Sequence, residues 1–153
     1  MVLLYVVLLS AAPFLELRGA IPFGIAAGLD YFTVFLVATT ANIIIIPVIY
    51  MLFNTFFKEL YKFPYIGSRF EKTVHKAHQK SEKYLDKYGY LGLTLFVSIP
   101  LPGSGAYTGS IVANFLEMDT QKAMLAIATG VFVAGVLVTL ISIGFLESLQ
   151  FLL

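Results

Sequence analysis

The sequence predicts an all-α integral membrane protein, and three observations carry that expectation. Hydrophobic residues make up 59% of the 153 residues and charged residues only 12%, about half the charge of an ordinary soluble domain. Mean hydropathy is +0.88. Two apolar stretches are long enough to cross a bilayer, and four others reach only halfway. The same punctuation by Pro, Gly and small residues also occurs twice. Together these predict two inverted repeats, each a re-entrant helical hairpin followed by one transmembrane helix, joined by a cytoplasmic amphipathic helix. The whole chain forms one membrane domain: a first repeat over 1–57, a linker over 58–88 and a second repeat over 89–153.

Length decides which segments span. A helix rises about 1.5 Å per residue and needs about 20 apolar residues to cross about 30 Å of hydrocarbon. Tyr31 to Phe53 and Gln121 to Leu146 meet that requirement. Val2 to Ala12, Gly19 to Leu29, Leu91 to Ile99 and Gly105 to Leu116 do not, and they come as two adjacent pairs. Each pair meets at a break, so each is read as a hairpin that enters and leaves on one face with its tip near mid-membrane. Irregular backbone at that depth must be buried in protein or line a cavity. The apolar start is not read as a cleaved signal, because no basic residue precedes it.

The breaks carry the repeat. Pro13 and Pro100 stand 87 residues apart, and Asp30 and Glu117 precede the spanning helices at the same spacing. Small residues follow each break at steps of four: Ala20, Gly24 and Gly28, then Gly105, Gly109 and Ala113, offset by 85. Such ladders let helices approach closely in lipid. Pro13, Gly19, Pro22, Gly24, Pro100, Pro102, Gly103, Gly105 and Gly109 are the expected break and packing positions.

A hairpin returns to its own face and a spanning helix changes it, so both termini lie on one side and the linker on the other. Eight of the ten Lys and Arg residues fall between Lys58 and Lys87, which places the linker in the cytoplasm of a multi-pass cell-membrane protein. From Ile66 to Tyr88 the linker alternates like a surface helix, with basic residues on one face suited to an anionic leaflet. Glu71, His75, His78 and Glu82 share another ridge, read as solvated pairs at helical spacing. No metal, cofactor or nucleic-acid partner is expected.

Chemistry concentrates at the first break. Glu16 and Arg18 are, with Asp30, the only charged residues from Met1 to Phe57. A charge in the bilayer interior costs at least about 3 kcal/mol and survives where it pairs or lines a water-filled space. One reading is an ion pair that holds the turn. The other is a substrate or proton site at the meeting point of the two tips. There the second arm of each hairpin would present helix N-terminal N–H groups, Ser104, Tyr107 and Thr108 would add hydroxyls, and Asn42 and Thr129 could either face the same space or hydrogen-bond between helices. A serine nucleophile in Gly103-Ser104-Gly105 would need a base, and the only histidines, His75 and His78, lie on the linker. The chain is not read as an enzyme.

The segments Pro13-Phe14-Leu15-Glu16-Leu17-Arg18-Gly19-Ala20-Ile21-Pro22 and Ile99-Pro100-Leu101-Pro102-Gly103-Ser104-Gly105-Ala106-Tyr107-Thr108-Gly109 resemble the small multidrug export family, related to DedA-type membrane proteins and to lipid scramblases of similar architecture. The resemblance covers nearly the whole chain. It implies a transporter with facing re-entrant hairpins and charged residues at their tips. DedA-like relatives usually carry a second arginine in the second break, and this chain has none there.

Two functions are expected from different chemistries. A proton-coupled transporter would use Glu16 for a proton or a cationic substrate in turn, moving a small or amphipathic molecule. A lipid flippase or scramblase would hold a phosphate head group on Arg18 and the helix N-termini. A purely structural or assembly role is a third possibility. Two spans and two hairpins make a thin wall, so a homodimer is expected, with Gly130 and Ala134 as a candidate contact.

Overall fold

The computed structural model describes residues 1–61, 88–101 and 103–152. The linker helix expected over 66–88, including its Glu71/His75/His78/Glu82 ridge, falls almost entirely outside the described residues, as does Pro102. The described residues are helical, with no strand among them: α1 Val2–Ala11, α2 Glu16–Ala26, α3 Tyr31–Tyr61, α4 Tyr90–Ser98, α5 Ala106–Phe115 and α6 Thr120–Leu152. Each half is thus a short helix, a second short helix and a long one. The apolar stretches Tyr31–Phe53 and Thr120–Leu146 are long enough to cross a membrane. α3 continues to Tyr61, beyond residue 57, where the first repeat was expected to end.

Both short pairs stop where they do for the same reasons. α1 and α4 end in extended C-caps, Ala12 (ψ 136°) and Ile99 (ψ 120°), because a following proline disfavours helical geometry at the residue before it. α2 and α5 end in matching turns. Leu29 N–H donates to Gly24 C=O and Met118 N–H to Ala113 C=O, each across a residue with positive φ, Gly28 at 84° and Glu117 at 52°. The long helices then start on aspartate caps, Thr33 N–H on Asp30 at 2.9 Å and Lys122 N–H on Asp119 at 3.0 Å, a side-chain acceptor for an otherwise orphan donor.

These turns correct the register expected between the halves. The offset is 87 up to the C-caps Ala12 and Ile99, and 89 from the closing turns onward. The cap that matches Asp30 is therefore Asp119, not Glu117, and the ladder offset is 89 rather than 85. Ala20 pairs with Gly109, Gly24 with Ala113 and Arg18 with Tyr107. The second break is two residues longer than the first.

Small residues decide how the helices pack. A Cβ at Gly24 would meet Val6 and Val34, and one at Gly109 would meet Val97 and Ile127. Gly28 has open space around it and serves the left-handed turn instead. Pro22 lies inside α2, and Gly19 there too, so neither belongs to the break. α1 lies along α3, with the Asn42 amide donating to Ser10 C=O at 2.8 Å. α4 lies along α6, with the Thr94 hydroxyl donating to Ala126 C=O and Gly130 seated against Val97. α3 and α6 touch through Phe35 on Phe132, and Gly135 accommodates Thr39. The core is continuous through Leu17, Ile21, Val34, Val97, Ile127 and Val131, all essentially inaccessible.

Gly130 and Ala134 are buried within the chain. The homodimer contact expected through them falls on residues that are not exposed in the single chain, Gly130 lying against Val97 of α4.

Candidate functional site

The two breaks meet, and they meet through Glu16 and Arg18. α2 begins at Glu16 itself, three residues earlier than the spacing suggested, so Arg18 projects from the first turn of a helix. The two side chains form an ion pair, Nη1 to Oε2 at 2.7 Å, with only 4% of Glu16 and 11% of Arg18 exposed. The other Glu16 oxygen, Oε1, accepts from the backbone N–H of Tyr107 at 3.1 Å. The carboxylate therefore caps the N-terminus of α5 from the opposite half of the chain. An anion at that position is stabilised by free N–H groups and by the helix dipole.

Arg18 does the converse. Its Nη2 donates to Val97 C=O at 2.9 Å and to Ser104 C=O at 3.2 Å, with longer bonds of 3.4 Å to Ile99 C=O and the Ser104 hydroxyl. These acceptors surround the C-terminal end of α4, where orphan carbonyls concentrate negative charge. Ser104 is fixed in turn by donating to Ile99 C=O at 2.6 Å and to Leu101 C=O at 3.0 Å. One short acid–base pair thus matches both exposed helix ends of the second break.

Tyr107 closes the reciprocal contact. Its hydroxyl donates to Ala11 C=O, at the end of α1, at 2.6 Å. Gly105 is bare because it must be: a Cβ there would sit on the Glu16 carboxylate. The backbone of the first break is strained, with Phe14 at φ 71° and Glu16 at φ 48°. Bulky residues in that region cost about 1–3 kcal/mol and persist where the surroundings impose them, often at functional sites.

A cavity of about 270 Å³ opens at this junction, lined by Pro13, Phe14, Glu16, Arg18, Phe53, Gly103, Gly105, Tyr107, Thr108 and Ile111. Glu16, Arg18, Tyr107 and Thr108 are thus brought together, and Ser104 supports Arg18 from behind. Pro100 follows the C-cap of α4 and does not line the cavity. Asn42 is elsewhere, wholly buried on Ser10. Thr129 points outward, its hydroxyl on Leu125 C=O, and the residue of α6 that matches Asn42 in the corrected register is Val131. Phe53 and Ile111 were not singled out, since nothing separates them from other apolar residues in a sequence this hydrophobic. The acceptors at Val97, Ile99 and Ala11 are main-chain carbonyls and leave no sequence signal at all.

The geometry bears on the anion sites expected for a lipid phosphate. The α5 N-terminus is occupied by Glu16, and the terminal nitrogens of Arg18 are engaged by Glu16 and by carbonyls. Among the described residues no three His, Asp or Glu side chains converge as a metal site.

A family model described as "Putative small multi-drug export protein" matches residues 16–137. No curated protein and no solved structure matches the chain.

Proposed function

The chain belongs to this small multi-drug export family, and from that premise we propose that it is a proton-coupled membrane transporter whose site is the cavity between the two breaks. The observation that carries the reading is the arrangement of Glu16. Its two oxygens hold the cation of its own half and the helix start of the other, so its charge state governs both contacts at once.

Ionised, Glu16 binds Arg18 and draws the N-terminus of α5 onto the first break. Protonated, it loses the charge that matches the helix dipole and the guanidinium. The N-terminus of α5 is then released from Glu16, while Arg18 stays on the carbonyls at the end of α4. A cationic group on a small amphipathic substrate competes for the same carboxylate, while Phe14, Phe53 and Ile111 supply apolar contact. Proton and substrate therefore exclude one another at Glu16, which is the requirement for exchange.

The placement of the breaks supports a mid-membrane site. α1 ends against Asn42, the middle residue of the 23-residue stretch Tyr31–Phe53. In this proposal the short pairs are re-entrant hairpins, the halves are inverted, the termini lie outside and the linker inside. A homodimer covers the thin wall through a face other than Gly130 and Ala134.

Reconstitution in liposomes with an imposed proton gradient tests the reading. A lipophilic cation, a phospholipid and a polyprenyl phosphate are compared side by side. Gradient-driven movement of the cation supports it. Movement of the phosphate lipids alone, independent of the gradient, replaces it with lipid scrambling, in which a phosphate displaces Glu16 from α5.

A further inference from the structure

Three aromatic side chains and one carboxylate line a single cavity of about 270 Å³: Phe14 from the first break, Phe53 from α3, Tyr107 from α5, and Glu16. Each Glu16 oxygen already accepts a bond, Oε2 from Arg18 at 2.7 Å and Oε1 from the Tyr107 N–H at 3.1 Å. The Tyr107 hydroxyl is engaged on Ala11 C=O at 2.6 Å, and Arg18 takes the carbonyls of Val97, Ile99 and Ser104. Among the lining side chains, Thr108 adds one hydroxyl and Ile111 adds apolar surface. To a ligand the lining thus offers a negative charge and aromatic surface, but few side-chain acceptors.

We propose that the cavity is a cage for a permanent organic cation, a quaternary ammonium or an N-alkylated aromatic ring, with Phe14, Phe53 and Tyr107 around the charge and Glu16 as its counter-ion. As a substrate class this rests on the transport reading above; as a binding site it rests on the lining alone.

Hydrogen bonding separates the kinds of cation. A primary ammonium brings three N–H donors, and each one left unmet on leaving water is costly. A cation without N–H makes no such demand, and aromatic rings with a carboxylate suffice to hold it. Size agrees. Pockets for drug-sized molecules begin at about 300 Å³, and one of about 270 Å³ suits a single-ring cation. Exchange at Glu16 favours the same class. A permanent cation has no neutral form that leaks through hydrocarbon, where charge is costly. It therefore enters only when Glu16 gives up its proton, and a proton takes its place when it leaves.

Calorimetric titration of the detergent-solubilised protein, with no gradient, tests the cage apart from transport. Benzyltrimethylammonium and benzylammonium share one ring and one charge and differ in N–H groups. The wild type is expected to bind the quaternary ion more tightly. Phe53→Leu should weaken that binding by roughly threefold to thirtyfold, with a smaller effect on benzylammonium, and Phe53→Tyr should restore it. Phe14 is 88% exposed, so Phe14→Leu gives the same comparison without disturbing the core. No binding of benzyltrimethylammonium by the wild type, or tighter binding of benzylammonium, overturns the cage. So does an equal loss for both ions in the leucine variants, since the rings would then supply apolar contact only. Liposomes separate the two readings. Benzylammonium driven by a proton gradient, with the quaternary ion neither bound nor moved, overturns the cage and leaves the transport reading standing. A quaternary ion that binds with the expected dependence on Phe53 but does not move with the gradient overturns the transport reading, and the cage remains as a binding site.

Discussion

Arg18 and Tyr107 hold corresponding places in the two halves, each six residues before the carbonyl, Gly24 or Ala113, that closes its helix. Each reaches across to the other half's first short helix, Arg18 to Val97 C=O at the end of α4 and Tyr107 to Ala11 C=O at the end of α1. The exchange is chemically unequal. Arg18 brings a full charge and needs Glu16 to balance it; Tyr107 brings a neutral donor and needs nothing. At the place that Arg18 holds in the first half, the second half has a tyrosine making the equivalent reach.

That asymmetry orders the effects of substitution. Arg18→Gln leaves Glu16 buried without its cation and removes the donor shared by the carbonyls of Val97, Ile99 and Ser104. Breaking one side of a buried pair costs about 3–5 kcal/mol. Glu16→Gln leaves Arg18 on those carbonyls and a neutral acceptor near Tyr107, so it is expected to cost less. Thermal unfolding of the two variants in detergent checks the order.

Tyr107→Phe removes one neutral hydrogen bond and leaves the backbone cap by Glu16 in place. A loss of about 1 kcal/mol is expected, with transport reduced but still proton-dependent. Loss of the proton dependence itself would mean that the hydroxyl, not Glu16, carries the coupling.

Much of the site was legible in the sequence because charge is so rare in this chain that Glu16 and Arg18 stand out. Their convergence with Ser104, Tyr107 and Thr108 followed from placing the two breaks opposite one another. The register was not legible. Proline and acidic residues gave an offset of 87, but glycine and glutamate can both take the left-handed position that closes a helix. The closing turns at Gly28 and Glu117 therefore look unrelated as letters and match only in hydrogen bonding. Thr129, chosen by that offset, was misplaced for the same reason, whereas Asn42, chosen as the midpoint of its own helix, makes the interhelical bond to Ser10 that was its alternative. The occupant of the α5 N-terminus was also hidden, because a helix N-terminus reads as vacant until a distant carboxylate is seen on it.

Glycine substitutions should separate contact from open space. Gly109→Ala and Gly130→Ala put a Cβ against Val97 and are expected to destabilise, whereas Gly92 has nothing within 4 Å. Gly92→Ala should be neutral or stabilising, by up to about 1 kcal/mol from helix propensity. Unfolding midpoints of the three variants decide.

Gly105→Ala should be the least tolerated of the alanine changes, since its Cβ overlaps the Glu16 carboxylate. Shortening the acid relieves that clash, so Gly105→Ala with Glu16→Ala is expected to fold better than Gly105→Ala alone. Expression and monodispersity in detergent report the rescue.

The most direct measurement is proton-driven transport by the double variant Glu16→Gln, Arg18→Gln in liposomes, with its folding verified by thermal unfolding. Removing both charges together spares the protein an unpaired buried ion, so the double variant is expected to be more stable than Arg18→Gln alone. If the pair carries transport, it is folded and inactive. A folded double variant that transports like the wild type would show that Glu16 and Arg18 only hold the turn, and would contradict the account.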